Sequence, residues 1–244
     1  MAKVLKWTIL LVLVVLIPGL AQENNLDTLL RQTAPTSKEV LSQIQDIIKH
    51  DPQLLNKRIR RFEKRGFVPP LVYALDKGDL PLTQLFLELG SDPDTTAGRG
   101  KRPALHWVLS GKSEQAIKPA LIRLLISRGA NTQGVDLAGR NVFHALVETG
   151  AWEDKSALHS MASKLASNSP ALEAPDNRGL SPLMAAVMRH DANFAALLIQ
   201  LGADPLKKSA ILGIDALVLA EQQSHTIDHP KEAAQVLKVV NAAK

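Results

Sequence analysis

Apolar and polar positions along this chain repeat in blocks of helical period, and the same block returns several times. In residues 181–204 it begins with Leu183, Met184, Ala185 and Ala186, breaks briefly into polar residues, and resumes at Phe194, Leu197, Leu198 and Leu201. The second group has i, i+3, i+4, i+7 spacing, which predicts a helix with one apolar face. Ser181 can accept a backbone N–H at the start of the first helix, and Pro182 suits the first helical position, where no N–H partner is needed. Gly202 supplies the left-handed residue that ends the second. Residues 69–92 repeat the arrangement with Leu82, Leu85, Phe86 and Leu89, then Gly90 and Asp92. The apolar anchors Leu71, Leu105, Phe143, Leu183 and Leu217 lie 34, 38, 40 and 34 residues apart. Each block therefore predicts two short helices whose apolar faces cannot be hidden within the unit, so consecutive units must stack. Runs of β-branched residues at period two are absent outside the N-terminus. The predicted class is all-α.

A period in the thirties, a helix-opening Pro-Leu and a closing Gly-Ala-Asp resemble the ankyrin repeat. Residues 179–205 follow that pattern almost position for position, from Gly179-Leu180-Ser181-Pro182-Leu183 to Gly202-Ala203-Asp204. The copy at 66–94 opens with Val68-Pro69-Pro70-Leu71 in place of Thr-Pro-Leu-His. The copy from Gly100 keeps Leu105-His106 and Gly129-Ala130-Asn131, with about five extra residues within Ser110–Lys118 relative to a 33-residue unit. The next starts clearly at Gly139-Arg140-Asn141-Val142-Phe143-His144 and decays, with Pro175-Asp176 where Gly-Ala-Asp is expected. The last, from Gly213, is an atypical terminal unit whose final helix opens at Pro230, buries Ala233, Val236, Leu237 and Val240, and turns Lys231, Lys238 and Lys244 to water. Upstream, Thr36-Ser37-Lys38-Glu39 fits a capping box ahead of Val40, Ile44, Ile47 and Ile48. The resemblance implies a solenoid of about five stacked helix-turn-helix units with degenerate caps. Its predicted segments are an N-terminal cap at 22–65, repeats at 66–98, 99–135, 136–175 and 176–208, and a C-terminal capping repeat at 209–244.

Residues 1–21 have a different logic. Lys3 and Lys6 precede an apolar run from Trp7 to Ile17, broken by Pro18-Gly19, and Gly19-Leu20-Ala21 places small residues where a signal peptidase reads them. The run is shorter than the ~20 apolar residues of a membrane-spanning helix. Cleavage before Gln22 and export to a periplasm are expected, with retention as an inner-membrane anchor the alternative. Two of the 29 basic residues and none of the 24 acidic ones lie in this segment, which leaves the mature chain at +3. So modest a charge argues for a mixed protein surface rather than a nucleic-acid platform. The absence of cysteine excludes disulfides, thiolate zinc and thiol catalysis, and with no cysteine after the apolar run a lipid anchor is not expected.

Catalytic constellations are hard to find. His106 and His144 occupy the Pro-Leu-His position, where the resemblance implies a ring bonded to backbone between units. His225 and His229 flank Asp228 at i, i+4, but Pro230 and a polar run suggest a loop and no third strong ligand is apparent. Ser160, Ser163, Ser167 and Ser169 lack a nucleophile elbow, and Gly98-Arg99-Gly100-Lys101 lacks the GK[ST] ending of a phosphate loop. The expectation is a chain that is not an enzyme, with no metal, cofactor or small-molecule substrate.

Two basic groupings and two tryptophans remain. Lys57–Arg65 holds six cations in nine residues and reads either as a solvated face or as an anionic docking site. The resemblance implies that the turns between successive repeats project as fingers beside a concave face, and Arg99, Lys101, Arg102, Arg140, Arg178, Lys207 and Lys208 fall on those turns. Arginine is enriched at interfaces, so these are expected partner contacts. Trp107, on a first helix, and Trp152, in the extended loop Glu148–Lys155, are the candidate aromatic anchors, although a loop tryptophan also folds back readily onto its own helices.

The resemblance implies a monomer that grips one protein partner in a hetero-complex. The overall plan of signal, size and repeat count resembles exported bacterial ankyrin proteins that inhibit a cell-wall hydrolase and protect the producing cell. The alternatives are an envelope tether without inhibitory activity and a binder of anionic envelope polymers.

Overall fold

Helices form where the apolar periodicity places them. The computed structural model describes residues 26–31, 36–60, 67–111, 113–149, 152–167, 170–225 and 230–243. The expected export signal and its expected cleavage point before Gln22, most of Lys57–Arg65, and Asp228, His229 and Lys244 lie outside the described residues. The chain divides into two compact units, Met1–Asp92 and Pro93–Lys244.

In the first unit, helical residues 26–30 precede α1 (Lys38–His50), a 3-10 turn (Pro52–Asn56), a ladder of β1 (Ile59–Arg60) with β2 (Phe67–Val68), then α2 (Pro70–Lys77) and α3 (Leu80–Glu88). Val40, Ile44 and Ile48 are buried along one face of α1, as its spacing predicts. The capping box does not form in the expected register. Ser37 is the N-cap and accepts the Val40 N–H at 3.4 Å. Thr36 is drawn away by Asp79, whose Oδ2 accepts its N–H at 2.9 Å and its hydroxyl at 2.6 Å. The same carboxylate caps α3 by accepting the Leu82 N–H through Oδ1 at 3.1 Å. At 1% exposure Asp79 needs those three donors, because an unsatisfied buried carboxylate is costly.

The second unit opens with a hairpin of β3 (Thr96–Ala97) and β4 (Arg102–Pro103) and continues through helix pairs. These are α4 (Ala104–Ser110) with α5 (Lys118–Ser127), α6 (Val142–Glu148) with α7 (Lys155–Ala166), α8 (Pro182–Met188) with α9 (Ala192–Gln200), and α10 (Ala216–Ser224) with α11 (Pro230–Asn241). The first helices α4, α6, α8 and α10 pack in succession, and α5 on α7 and α9 on α11 form a second layer. Leu105, Leu121, Leu125, Phe143, Leu183 and Leu198 are each at most 2% exposed and build the core between the layers. Ser181 caps α8 by accepting the Met184 N–H at 3.2 Å. Asp154, Asp191 and Asp215 cap α7, α9 and α10, placing negative charge at the positive helix ends. On α11 the expected face is buried at Ala233, Val236 and Val240, Leu237 is half-buried, and Lys231 and Lys238 are exposed. Two-residue ladders are the strands among the described residues, so the class is all-α.

Candidate protein-interaction surface

Three fingers of the second unit each close on one buried polar side chain. In residues 132–141 the carboxylate of Asp136 accepts the N–H groups of Ala138 (2.8 Å) and Arg140 (3.0 Å) through Oδ1. Its Oδ2 accepts Nε (2.9 Å) and Nη2 (2.5 Å) of the Arg140 guanidinium. In residues 173–181 Asp176 repeats the device, with Arg178 and Leu180 N–H on Oδ1 and the Arg178 guanidinium on Oδ2. Burial pushes both carboxyls up, but the arginine and amide donors more than reverse it and hold them below the ordinary aspartate range. In residues 205–215 the hydroxyl of Ser209 takes this place, accepting the Ile211 and Leu212 N–H groups at 3.3 and 3.1 Å.

The fingers are also bonded to one another. Leu137 N–H donates to the Gly100 carbonyl at 2.8 Å, and Asn177 N–H donates to that of Ala138 at 2.9 Å. The Asn177 side chain fills the space beside Gly139, where a Cβ would sit 2.3 Å from its Oδ1. Gly139 has φ +74°, a left-handed value, and Lys101 carries φ +46° in the finger before it. Below the fingers, His106 Nε2 donates to the Arg140 carbonyl and His144 Nε2 to that of Leu180, both at 2.9 Å. A carbonyl only accepts, so Nε2 carries the proton in both rings. Burial is the main cause that moves both imidazoles below the usual histidine range, leaving them neutral. These rings do what their position in the repeat implied. The finger row is thus ordered before any partner arrives.

The structure redistributes the predicted contact residues. Arg99, Lys101 and Lys208 are exposed. Arg102 is half-buried, with Nη1 at 3.4 Å from the Ser110 hydroxyl, and Lys207 lies 3.7 Å from Glu173. Arg178 keeps 69% of its side chain in water while pairing with Asp176. Arg140 was expected to face out and does not. Only 23% of its side chain is exposed, because the guanidinium spans Asp136 and Glu148.

Both tryptophans are likewise inside. Trp107 is 8% exposed and packs under Gly98, where a Cβ would meet its ring at 3.3 Å. Trp152 is 6% exposed, donates its indole N–H to Thr149 Oγ1 at 2.9 Å, and lies 5.7 Å from the Lys118 ammonium. Lys118 is itself buried and donates to the carbonyls of Leu109 and Gly111. Glu153 N–H adds a bond to Gln115 Oε1 at 3.0 Å, so the two extended loops are fastened to each other. An indole held this way serves the fold, and the displayed anchor expected at either tryptophan is corrected.

Sequence reasoning passed over what the fingers do display. Val135 (51%), Leu137 (59%), Leu206 (48%), Ile211 (63%) and Leu212 (41%) are exposed apolar residues on them. The available signal was position, since all five lie in turns where a helical period gives no reason for an apolar side chain. A cavity of about 250 Å³ separates α7 from α9, with Trp152, Leu158, Phe194 and Leu197 in its lining. Among the described residues no group of three or more histidine or acidic side chains could hold a metal. None of the described helices is long and apolar enough to cross a membrane.

Comparison with known proteins adds three observations. Residues 178–210 match the family model described as ankyrin repeat. The chain is 29% identical over 171 residues to the phosphocholine transferase AnkX of Legionella pneumophila, covering 70% of this chain and 16% of that protein. Among solved structures, a chain from the complex of the predatory endopeptidase Bd0816 of Bdellovibrio bacteriovorus with the immunity protein Bd3460 superposes with a TM-score of 0.58 at 20% identity. That superposition covers 84% of this chain and 93% of the other. At such identity the likeness speaks for the fold.

Proposed function

We propose that this ankyrin-repeat protein is exported to the periplasm, where it holds one secreted enzyme and blocks it. Ankyrin repeats mediate protein binding, and a module of this kind needs no cofactor to do so. The observation that carries the reading is the finger row, with its backbone pinned by Asp136, Asp176 and Ser209 and the tips of its first three fingers bonded one to the next. A surface ordered in advance avoids the cost of ordering loops on association. Such a protein acts most simply by occlusion, covering an active-site cleft. A structural likeness to a chain in an endopeptidase–immunity complex supports a hydrolase as the partner. Export rests on the Lys3–Ala21 segment. A standard interface buries on the order of 1,600 Å² in total.

The test begins with the mature chain from Gln22, used to capture proteins from its native envelope fraction, with bound proteins identified by mass. The captured protein is then assayed on purified cell-wall polymer with and without the chain. A captured hydrolase that loses activity supports the proposal. A captured protein without enzymatic activity refutes inhibition and leaves a tether. Salt-sensitive binding to polymer alone, with no protein captured, refutes both.

A further inference from the structure

The fourth finger, residues 205–215, differs from those before it. Where the third carries Asn177, which bonds across to the finger before it, and Arg178, which pairs with Asp176 of its own finger, the fourth carries Ile211 and Leu212. With Leu206 they place three aliphatic side chains, 41% to 63% exposed, within seven residues. Lone exposed apolar residues are ordinary, but a cluster on a fixed loop marks a contact site. This loop is fixed, because Ser209 holds Ile211, Leu212 and Gly213 through its hydroxyl and carbonyl. The base of Ile211 presses on the third finger, where a Cβ on Gly179 would lie 2.7 Å from the Ile211 Cβ.

Between the third and fourth fingers lies an open groove of about 550 Å³, lined by Pro175, Gly179, Met184, Lys207, Lys208 and Ala210 among others. That volume accepts a few side chains, within the ~300–1,000 Å³ of ligand clefts. Its charge is net positive, two lysines against one glutamate. Lys207 and Lys208 face Glu173, which stands 3.7 Å from Lys207, and Lys208 has no carboxylate within ion-pair distance among the described residues. A second copy docking groove to groove would bring the same lysines face to face, which disfavours that symmetric self-association.

We propose that this groove seats an extended, acidic segment of the partner, one that sets a carboxylate on Lys208 in the groove and an adjacent aliphatic or aromatic residue against Ile211 and Leu206 beside it. This rests on the reading of the chain as a protein binder, and it moves the main contact from the finger arginines to the end of the row.

The test uses the full mature chain and a displayed library of random 12-residue peptides, panned at about 0.15 M salt, where exposed charges beyond ~8 Å are screened. Selected sequences should carry an apolar residue within two positions of Asp or Glu. A synthetic copy of the best one should bind Ile211→Asp about tenfold more weakly. It should also bind Lys208→Glu more weakly, and Lys231→Glu on α11 unchanged. Both test positions are exposed, and circular dichroism checks that the variants remain folded. Selection of nothing, of peptides without acidic residues, or of peptides whose binding is indifferent to Ile211→Asp and Lys208→Glu would overturn the proposal. An enzyme inhibited equally by wild type and Ile211→Asp would overturn this seat while leaving the binder reading intact. A wild-type chain that captures no protein at all would remove that reading instead.

Discussion

Arg140 and Arg178 look alike in sequence, each beside a finger glycine, but replacing them should have unequal consequences. Arg140→Ala removes the guanidinium that spans Asp136 and Glu148 and strands the Asp136 carboxylate, whose side chain is only 2% exposed. Removing one partner of a buried pair costs about 3–5 kcal/mol. Asp136 keeps its two amide donors and Arg140 is 23% exposed, so the loss falls at or just below that range, about 2–3 kcal/mol. Arg178→Ala breaks a pair whose cation is 69% exposed, and solvent screening holds the loss to about 1 kcal/mol or less. Urea unfolding followed by helical circular dichroism at neutral pH measures both. A double-mutant cycle of Asp136→Ala with Arg140→Ala should return a coupling of about 1.5–3 kcal/mol, the range of hydrogen bonds to charged groups. Equal losses at the two arginines, or a coupling near zero, would refute the assignment of Arg140 to the fold. One consequence for design follows. Reversing Arg140 to Glu sets a carboxylate against two others and unfolds the finger, so it cannot serve as a clean probe of binding.

Three further outcomes follow from the same geometry. Leu183→Ala and Leu198→Ala, at 1% and 2% exposure, should each cost ~2–5 kcal/mol in the same assay, and a loss under half a kcal/mol would break the repeat register. His106 and His144 have folded values below the unfolded one near 6.5, so the unfolded chain binds more protons as pH falls through that value. Stability should be level above about pH 6.5 and decline on acidification, with a shallower decline in His144→Gln, and stability that rises from pH 7 to 5.5 would contradict this. Trp152→Ala should cost about 3–5 kcal/mol of stability, and a folded variant of unchanged stability that has lost partner binding would restore the anchor reading.

The repeat was legible because its signal is periodic. Leu82, Leu85 and Phe86, or Phe194, Leu197 and Leu198, mark buried faces through spacing alone, and Ser181 announces a cap. His106 and His144 followed once the register was fixed. The contact surface was less legible, because exposure is a tertiary property. A charge count assigns Arg140 to solvent, and only the fold brings Asp136 and Glu148 to it. Trp152 looked like an insertion residue on display until Thr149 and Lys118 were placed beside it. Thr36 fitted its capping box locally, but Asp79, 43 residues away in sequence, competes for the same donors. In each case a long-range polar partner overrode a local reading. Ile211 and Leu212 were overlooked for the opposite reason, since apolar residues outside a helical period carry no pattern to read.

The most direct test of the central claim is a titration. Purified mature chain is added in steps to a fixed concentration of the captured enzyme, and release of fragments from purified cell-wall polymer is followed. The account predicts a linear fall in activity that ends at one chain per enzyme. Full activity in a complex shown to be saturated would contradict it.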